Sequence, residues 1–182
     1  MCIRDRTFRA LRDFFNRTSR DLVGHELDPD ALYERLAELA SELPANADGV
    51  QFDPLFTGSR SNPLAKAAIR NLTPGTFTPG HMARALFEGM AAQLADSYRE
   101  AAKLGAGERS TLVGSGNGVK LNPVLRESLE SKFRMSLQLG ANDDEAAIGA
   151  ALCAAVADGS FNSISEASKA FVGSSATASP QV

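Results

Sequence analysis

The sequence predicts an α/β fold, and three observations carry the prediction. Residues 110–125 read as a short β-prone run, a glycine-dense turn and the start of a helix. Met135, Leu137 and Leu139 alternate with Ser136 and Gln138, the period of a half-buried strand. Amphipathic helices surround both, and three helix starts pair a capping side chain with proline: Asp28-Pro29, Thr78-Pro79 and Asn122-Pro123.

Composition narrows the functional classes. A chain of 182 residues with 43% hydrophobic and 23% charged residues can bury one sizeable core. Net charge is −3 and no long basic run occurs, which gives a nucleic-acid partner no electrostatic support. No apolar run reaches membrane-spanning length and no signal peptide is visible, so the expectation is a soluble, cytoplasmic protein without a membrane partner. Cys2 and Cys153 make no disulfide framework, and His25 and His81 without clustered cysteines predict no metal site.

The first six residues, MCIRDR, resemble a translated sequencing-adapter string and are set apart from the fold. On that reading residues 7–172 are the folded part, continuing a protein that extends upstream of Thr7. Residues 173–182, small and polar, are a flexible tail.

From the front, Phe8, Leu11, Arg12 and Phe15 at helical spacing predict a helix over 8–17. A second helix starts at Pro29, carries Leu32, Leu36, Leu39 and Leu43 on one face, and stops at Pro44. Residues 50–56 read as a strand, followed by the loop TGSRSNP. A long helix from Pro79 to about Leu104 follows, with Met82, Leu86, Met90, Leu94 and Tyr98 in one apolar row. Gly89 lies mid-helix, where it costs about 1 kcal/mol relative to Ala, so a closely approaching neighbour is expected there. His81 reads as a surface or capping residue. A helix over 123–133 shows Val124, Leu125, Leu129 and Phe133 as its buried residues. The Ala/Gly-rich helix from Glu145 predicts tight burial, with Cys153 as a small core residue and Glu145 as a cap paired with Asn142. A last helix starts at Ser163 and runs to Val172.

Candidate binding residues concentrate in the glycine turn, GSGNG, where Gly114, Gly116 and Gly118 alternate with other residues. Glycines so spaced keep side chains off a planar or anionic ligand, and the helix beyond offers unpaired N–H groups. A dinucleotide fingerprint would need glycine where Val119 stands, and a phosphate-binding Walker loop would need Ser or Thr after Lys120. An ordinary strand-to-helix turn is the plainer alternative.

The turn resembles the adenosine-binding turn of FGGY carbohydrate kinases, members of the actin-like ATPase superfamily. NLTPGTFTPGHMARALFEGMA resembles a family-specific passage, most of all in the sedoheptulokinase-like branch, and EAAIGAALCAA resembles the helix that backs the adenosine pocket. Gly58, Arg60 and Pro63 fit a family loop in which Ser59 replaces an acid. Arg60 then either pairs with a carboxylate across a domain interface or is a solvated loop cation. The resemblance covers residues 8 to about 172. It implies part of an actin-like, ribonuclease-H-like domain, the second domain of a sugar kinase, using ATP and Mg²⁺ with a sugar substrate. Gly114, Ser115, Gly116, Gly118 and Asn122 would form the nucleotide-binding set, with Lys120 a solvated cation or a phosphate contact.

The sugar-binding N-terminal domain, the catalytic base and the early phosphate loops have no counterpart in the resemblance. Two other readings stay open, a non-catalytic actin-like interaction module and a dinucleotide-binding α/β enzyme. The expectation is that the 182-residue chain alone phosphorylates no sugar. It should also expose apolar surface, including Leu11, Phe15 and part of the long helix. A coupled ADP-release assay over ketoses and polyols checks the first expectation, and sugar-dependent turnover would overturn it.

Overall fold

A computed structural model of the chain describes residues 3–59, 62–140 and 145–175. The chain divides into two compact units, residues 1–139 and 140–182. Within the first lie α1 (Ile3–Val23), α2 (Pro29–Ser41), β1 (Gln51–Asp53), β2 (Ala68–Arg70), α3 (Pro79–Ala101), β3 (Thr111–Gly114), α4 (Asn117–Lys120), α5 (Pro123–Phe133) and β4 (Ser136–Leu139). The second holds α6 (Glu145–Ala157) and α7 (Ile164–Ser175).

Helix α3 is the centre of the first unit and touches α1, α2, α5 and β1. Thr78 caps it, its Oγ1 accepting from the His81 N–H at 3.3 Å, and Pro79 occupies the first turn. Of the predicted apolar row, Met82, Leu86 and Met90 are buried and Leu94 and Tyr98 half-buried, while Ala83, Phe87, Ala91 and Ala95 beside it also lie in the interior. Beyond Ala101 the backbone widens into a π-turn over Ala102–Ala106, so the regular helix ends before Leu104.

Two corrections concern α3 and α1. His81 is buried rather than on the surface, with Nδ1 against Thr78 Oγ1 at 2.7 Å and Nε2 against Asp48 Oδ2 at 3.1 Å. A residue in the first turn of a helix is exposed only when no loop covers that end, and here the 47–49 turn covers it. Leu11 is 4% exposed and Phe15 packs on the core, against the expectation of exposure. Helix α1 runs well past both ends of the predicted span and lays this face inward. Phe8 meets Phe87 edge to face at 4.7 Å and tilts on Tyr33 at 4.7 Å. Phe14, on the opposite face, is 52% exposed.

Helix α2 starts as predicted, Asp28 Oδ1 accepting from the Asp30 and Ala31 N–H groups at 2.8 and 2.9 Å. Leu36 and Ala40 are its fully buried residues, while Leu39 and Leu43 are half-buried beside Gly80. The strand predicted over 50–56 contracts to Gln51–Asp53, because Pro54 carries no N–H to continue a ladder. It pairs antiparallel with β2, which the sequence reading did not assign, in the register Phe52↔Ile69. Arg70 and Asp53 form an ion pair across this pair of strands.

The close neighbour expected at Gly89 is the backbone of β1. A Cβ at Gly89 would stand 2.0 Å from the Phe52 carbonyl oxygen. Gly58, with φ +77°, is likewise fixed by its loop, since a Cβ there would lie 2.4 Å from the Pro63 carbonyl oxygen. Arg60 lies outside the described residues, as does Asn142, so neither its proposed pairing nor the Asn142 cap is described.

Arg84, on α3, reaches α5. Its Nη1 and Nη2 donate to Glu127 at 3.1 and 2.9 Å, and its Nε donates to Glu88 at 3.0 Å. Burial works against the charge, but the two carboxylates outweigh it and hold the guanidinium pKa above its ordinary value. Strands β3 and β4 pair in parallel, Thr111↔Ser136 through Gly114↔Leu139, joined by α4 and α5. Glu130 of α5 accepts from the Leu137 N–H at 2.8 Å, which ties the connecting helix to β4.

In the second unit α6 packs on α7. Most of its described side chains are exposed, and Cys153 is exposed rather than a core residue. An Ala/Gly-rich helix buries only what is laid against it, and α7 covers one side. Ser163 Oγ accepts from the Glu166 N–H at 3.2 Å, as a cap should, and α7 continues past Val172 to Ser175. Among the described residues no helix is long and apolar enough to cross a membrane.

Because the obstruction at Gly89 is backbone rather than a movable side chain, Gly89→Ala should destabilise the chain by about 3 kcal/mol or more. Urea unfolding followed by circular dichroism measures this, and a loss below about 1 kcal/mol, no larger than ordinary propensity effects, would contradict the contact.

Candidate nucleotide site

The five predicted site residues fall on one continuous segment: the end of β3, the turn, α4 and the start of α5. Gly114 closes β3 and is buried. A Cβ on it would lie 2.8 Å from Val119 Cγ1 and 3.1 Å from Leu137 Cδ2. Its lack of a side chain is therefore explained from within, by Val119 packing onto the β3–β4 pair. Val119, which stands where a dinucleotide fingerprint would have its third glycine, is 4% exposed and belongs to the core.

Gly116 differs. Its φ is +82° and ψ is 155°, a region open to glycine, and no atom lies within 4 Å of where a Cβ would be. Ser115 beside it is exposed. Here the backbone faces open space, the arrangement a flat ligand needs to approach it.

The sequence reading placed no helix before Asn122, and this is corrected. Gly116 is the N-cap of α4, a single turn that contains Gly118. Gly118 is exposed within that turn. The turn forms because Val119 is pulled inward while Leu121 N–H closes onto the Asn117 carbonyl at 2.9 Å. The third glycine, Gly118, lies inside the one-turn helix α4, while the longer helix α5 begins only at Pro123.

Asn122 caps α5 as predicted, its Oδ1 accepting from the Leu125 N–H at 2.9 Å. The residue is 7% exposed, and among the described residues its Nδ2 has no protein acceptor. A nearly buried donor without a partner is an unusual expense that a ligand acceptor would relieve. Gly116 thus offers open backbone and Asn122 an amide donor without a protein acceptor among the described residues. Lys120 closes α4 and is half-buried rather than fully solvated. No group of three His, Cys, Asp or Glu residues among the described residues could hold a metal ion, so no step involving Mg²⁺ is assigned to this chain.

The sequence reading missed Arg126. Its Nη1 donates to the Val119 and Lys120 carbonyls at 3.0 and 2.5 Å. A cation near the start of a helix opposes the helix dipole, and that placement is the signal that a local acceptor awaits it.

The profile of the FGGY family of carbohydrate kinases, C-terminal domain, matches residues 6–157. The xylulose kinase of Bacillus subtilis is 28% identical over 98% of this chain and 39% of its own length. The human sedoheptulokinase is 26% identical over 71% of this chain and 26% of its own length. Among solved structures, the xylulose kinase from Rhodospirillum rubrum superposes with a TM-score of 0.67 at 25% identity, over 87% of this chain and 30% of that one. The chain therefore spans well under half the length of these relatives. The sedoheptulokinase-like branch is one of several it resembles, and the Bacillus subtilis xylulose kinase exceeds the human sedoheptulokinase in identity. The solved neighbours are sugar kinases of actin-like ATPase fold, and the mixed helix and sheet here is part of that fold.

The packing at Gly114 yields a paired expectation. Gly114→Ala should destabilise by about 1–3 kcal/mol, and Val119→Ala in the same chain should recover part of that loss by clearing the space. A double-mutant cycle in urea measures the coupling, and strict additivity of the two changes would refute the contact.

Proposed function

The chain belongs to the FGGY family of carbohydrate kinases, as its C-terminal domain, and from that membership we propose that it forms the adenosine side of an ATP site. The observation that carries the proposal is Asn122, a nearly buried amide whose carbonyl caps α5 and whose Nδ2 remains to meet a ligand. Bound ATP supplies a phosphoryl group to a sugar hydroxyl, leaving ADP and a proton. On this reading Gly116 and Ser115 let the nucleoside lie on the backbone, Gly118 keeps the α4 surface low, and Asn122 orients the base or ribose. Gly114 supports the turn from behind rather than touching the nucleotide.

On this reading the sugar-binding surface and the catalytic base lie in the part of the relatives' length that this chain does not cover. The acceptor is a sugar or polyol hydroxyl, since relatives at 28%, 26% and 29% identity are a xylulose kinase, a sedoheptulokinase and a glycerol kinase.

Two measurements on the chain itself test the nucleotide reading. Calorimetric titration should show ADP binding, and Asn122→Ser should weaken it roughly 2- to 10-fold, the worth of one hydrogen bond. Serine keeps most of the capping, so the unfolding midpoint should barely move. Unchanged ADP affinity together with unchanged stability would remove Asn122 from the site.

A further inference from the structure

We propose that Arg126 is a positioning residue that fixes the glycine turn against α5 and so sets the spacing between Gly116 and Asn122. The inference rests on the nucleotide reading above. Helix α4 is one turn long, and so short a helix has little stability of its own. Its last carbonyls, on Val119 and Lys120, have no following turn to bond with, and both accept from Arg126 Nη1 at 3.0 and 2.5 Å. Arg126 is half-buried and lies one turn beyond Asn122 on α5. Its own N–H donates to the Asn122 carbonyl at 3.2 Å.

One guanidinium thus bridges the joint between the two helices. Leu121, the residue at that joint next to Asn122, is 78% exposed and offers no packing to hold it. Val119 anchors the inner side of α4 in the core independently of Arg126. Loss of the arginine should therefore loosen the outer side of the turn, where Gly116 and Asn122 meet a ligand, without unfolding the domain. A phosphate-directed arginine would spend its donors on the ligand, whereas Nη1 of Arg126 is committed to backbone.

The test compares Arg126→Ala, Arg126→Lys and Asn122→Ser with the wild-type 182-residue chain, titrated with ADP, AMP and inorganic tripolyphosphate. Thermal unfolding is recorded for each. Arg126→Ala is expected to weaken ADP and AMP by one common factor of about 5- to 10-fold, the scale of one loosened hydrogen bond. Tripolyphosphate binding and the unfolding midpoint should stay unchanged, and lysine, still able to donate to the carbonyls, should restore most of the affinity.

The proposal is overturned if Arg126→Ala leaves ADP affinity intact while Asn122→Ser reduces it. It is overturned equally if tripolyphosphate weakens as much as ADP, or if affinity falls only in step with the unfolding midpoint. Absence of ADP binding by the wild-type chain at millimolar nucleotide, or indifference to both substitutions, would instead sink the nucleotide reading and this inference with it.

Discussion

Arg84 is the buried charge on which the arrangement of the first unit depends. Its side chain is 3% exposed, and its three bonded nitrogens meet Glu88 on its own helix and Glu127 on α5. Glu88 Oε1 also accepts from the Asn46 N–H at 2.7 Å, so the same carboxylate holds the turn between α2 and β1. That turn runs through left-handed backbone at Asn46, Ala47 and Asp48, a conformation that ordinary residues keep only when their surroundings hold them there. Glu88 is nearly as buried as Arg84, so removing one partner of that pair typically costs about 3–5 kcal/mol, whereas Glu127 is half-exposed and its loss costs less. Helix α5 carries both the clamp and, at its first turn, the cap that faces the candidate site.

The glycines of this chain fall into two kinds, and the distinction decides which of them can concern a ligand. Gly80, Gly89 and Gly114 are places where another part of the chain comes too near for a side chain: α2 backbone, β1 backbone and Val119 with Leu137 respectively. Gly116 has nothing near it and a backbone conformation that glycine alone adopts freely. Gly24, Gly49, Gly105, Gly107 and Gly159 share that openness and a positive φ, so what singles out Gly116 is its place in the turn before Asn122.

Much of the fold was legible because capping chemistry is local. Asp28, Thr78 and Asn122 each begin a helix where their side chain and the following proline said they would. The α3 row and the strand β4 were legible from period, although Leu94, Tyr98 and Leu137 are only half-buried and Leu139 is exposed. Harder to read were features decided by distant partners. Strand β2 is three residues with no alternation to speak of, and it exists because β1 lies beside it. His81 is buried by a turn more than thirty positions earlier, through Asp48. Cys153 and its helix followed the composition rule for buried helices, yet composition cannot say what covers a face. In the candidate site, the residues themselves were readable from the glycine spacing, but their different roles were not. Val119, Arg126 and the one-turn helix between them are products of packing.

The parallel pairing of β3 and β4 also orders the events of folding. Parallel neighbours cannot be joined by a tight hairpin, so Thr111 can meet Ser136 only after the intervening chain has crossed over and docked. The entropy of closing that long loop is lost before the ladder bonds that reward it can form. Helix α5 must first settle on α3, through Arg84 and Glu127, to bring the strands together. The glycine turn lies inside this crossover, with α4 between it and α5. A nucleotide held there would bind the closed crossover and not the open chain, so occupancy would favour the folded arrangement by mass action.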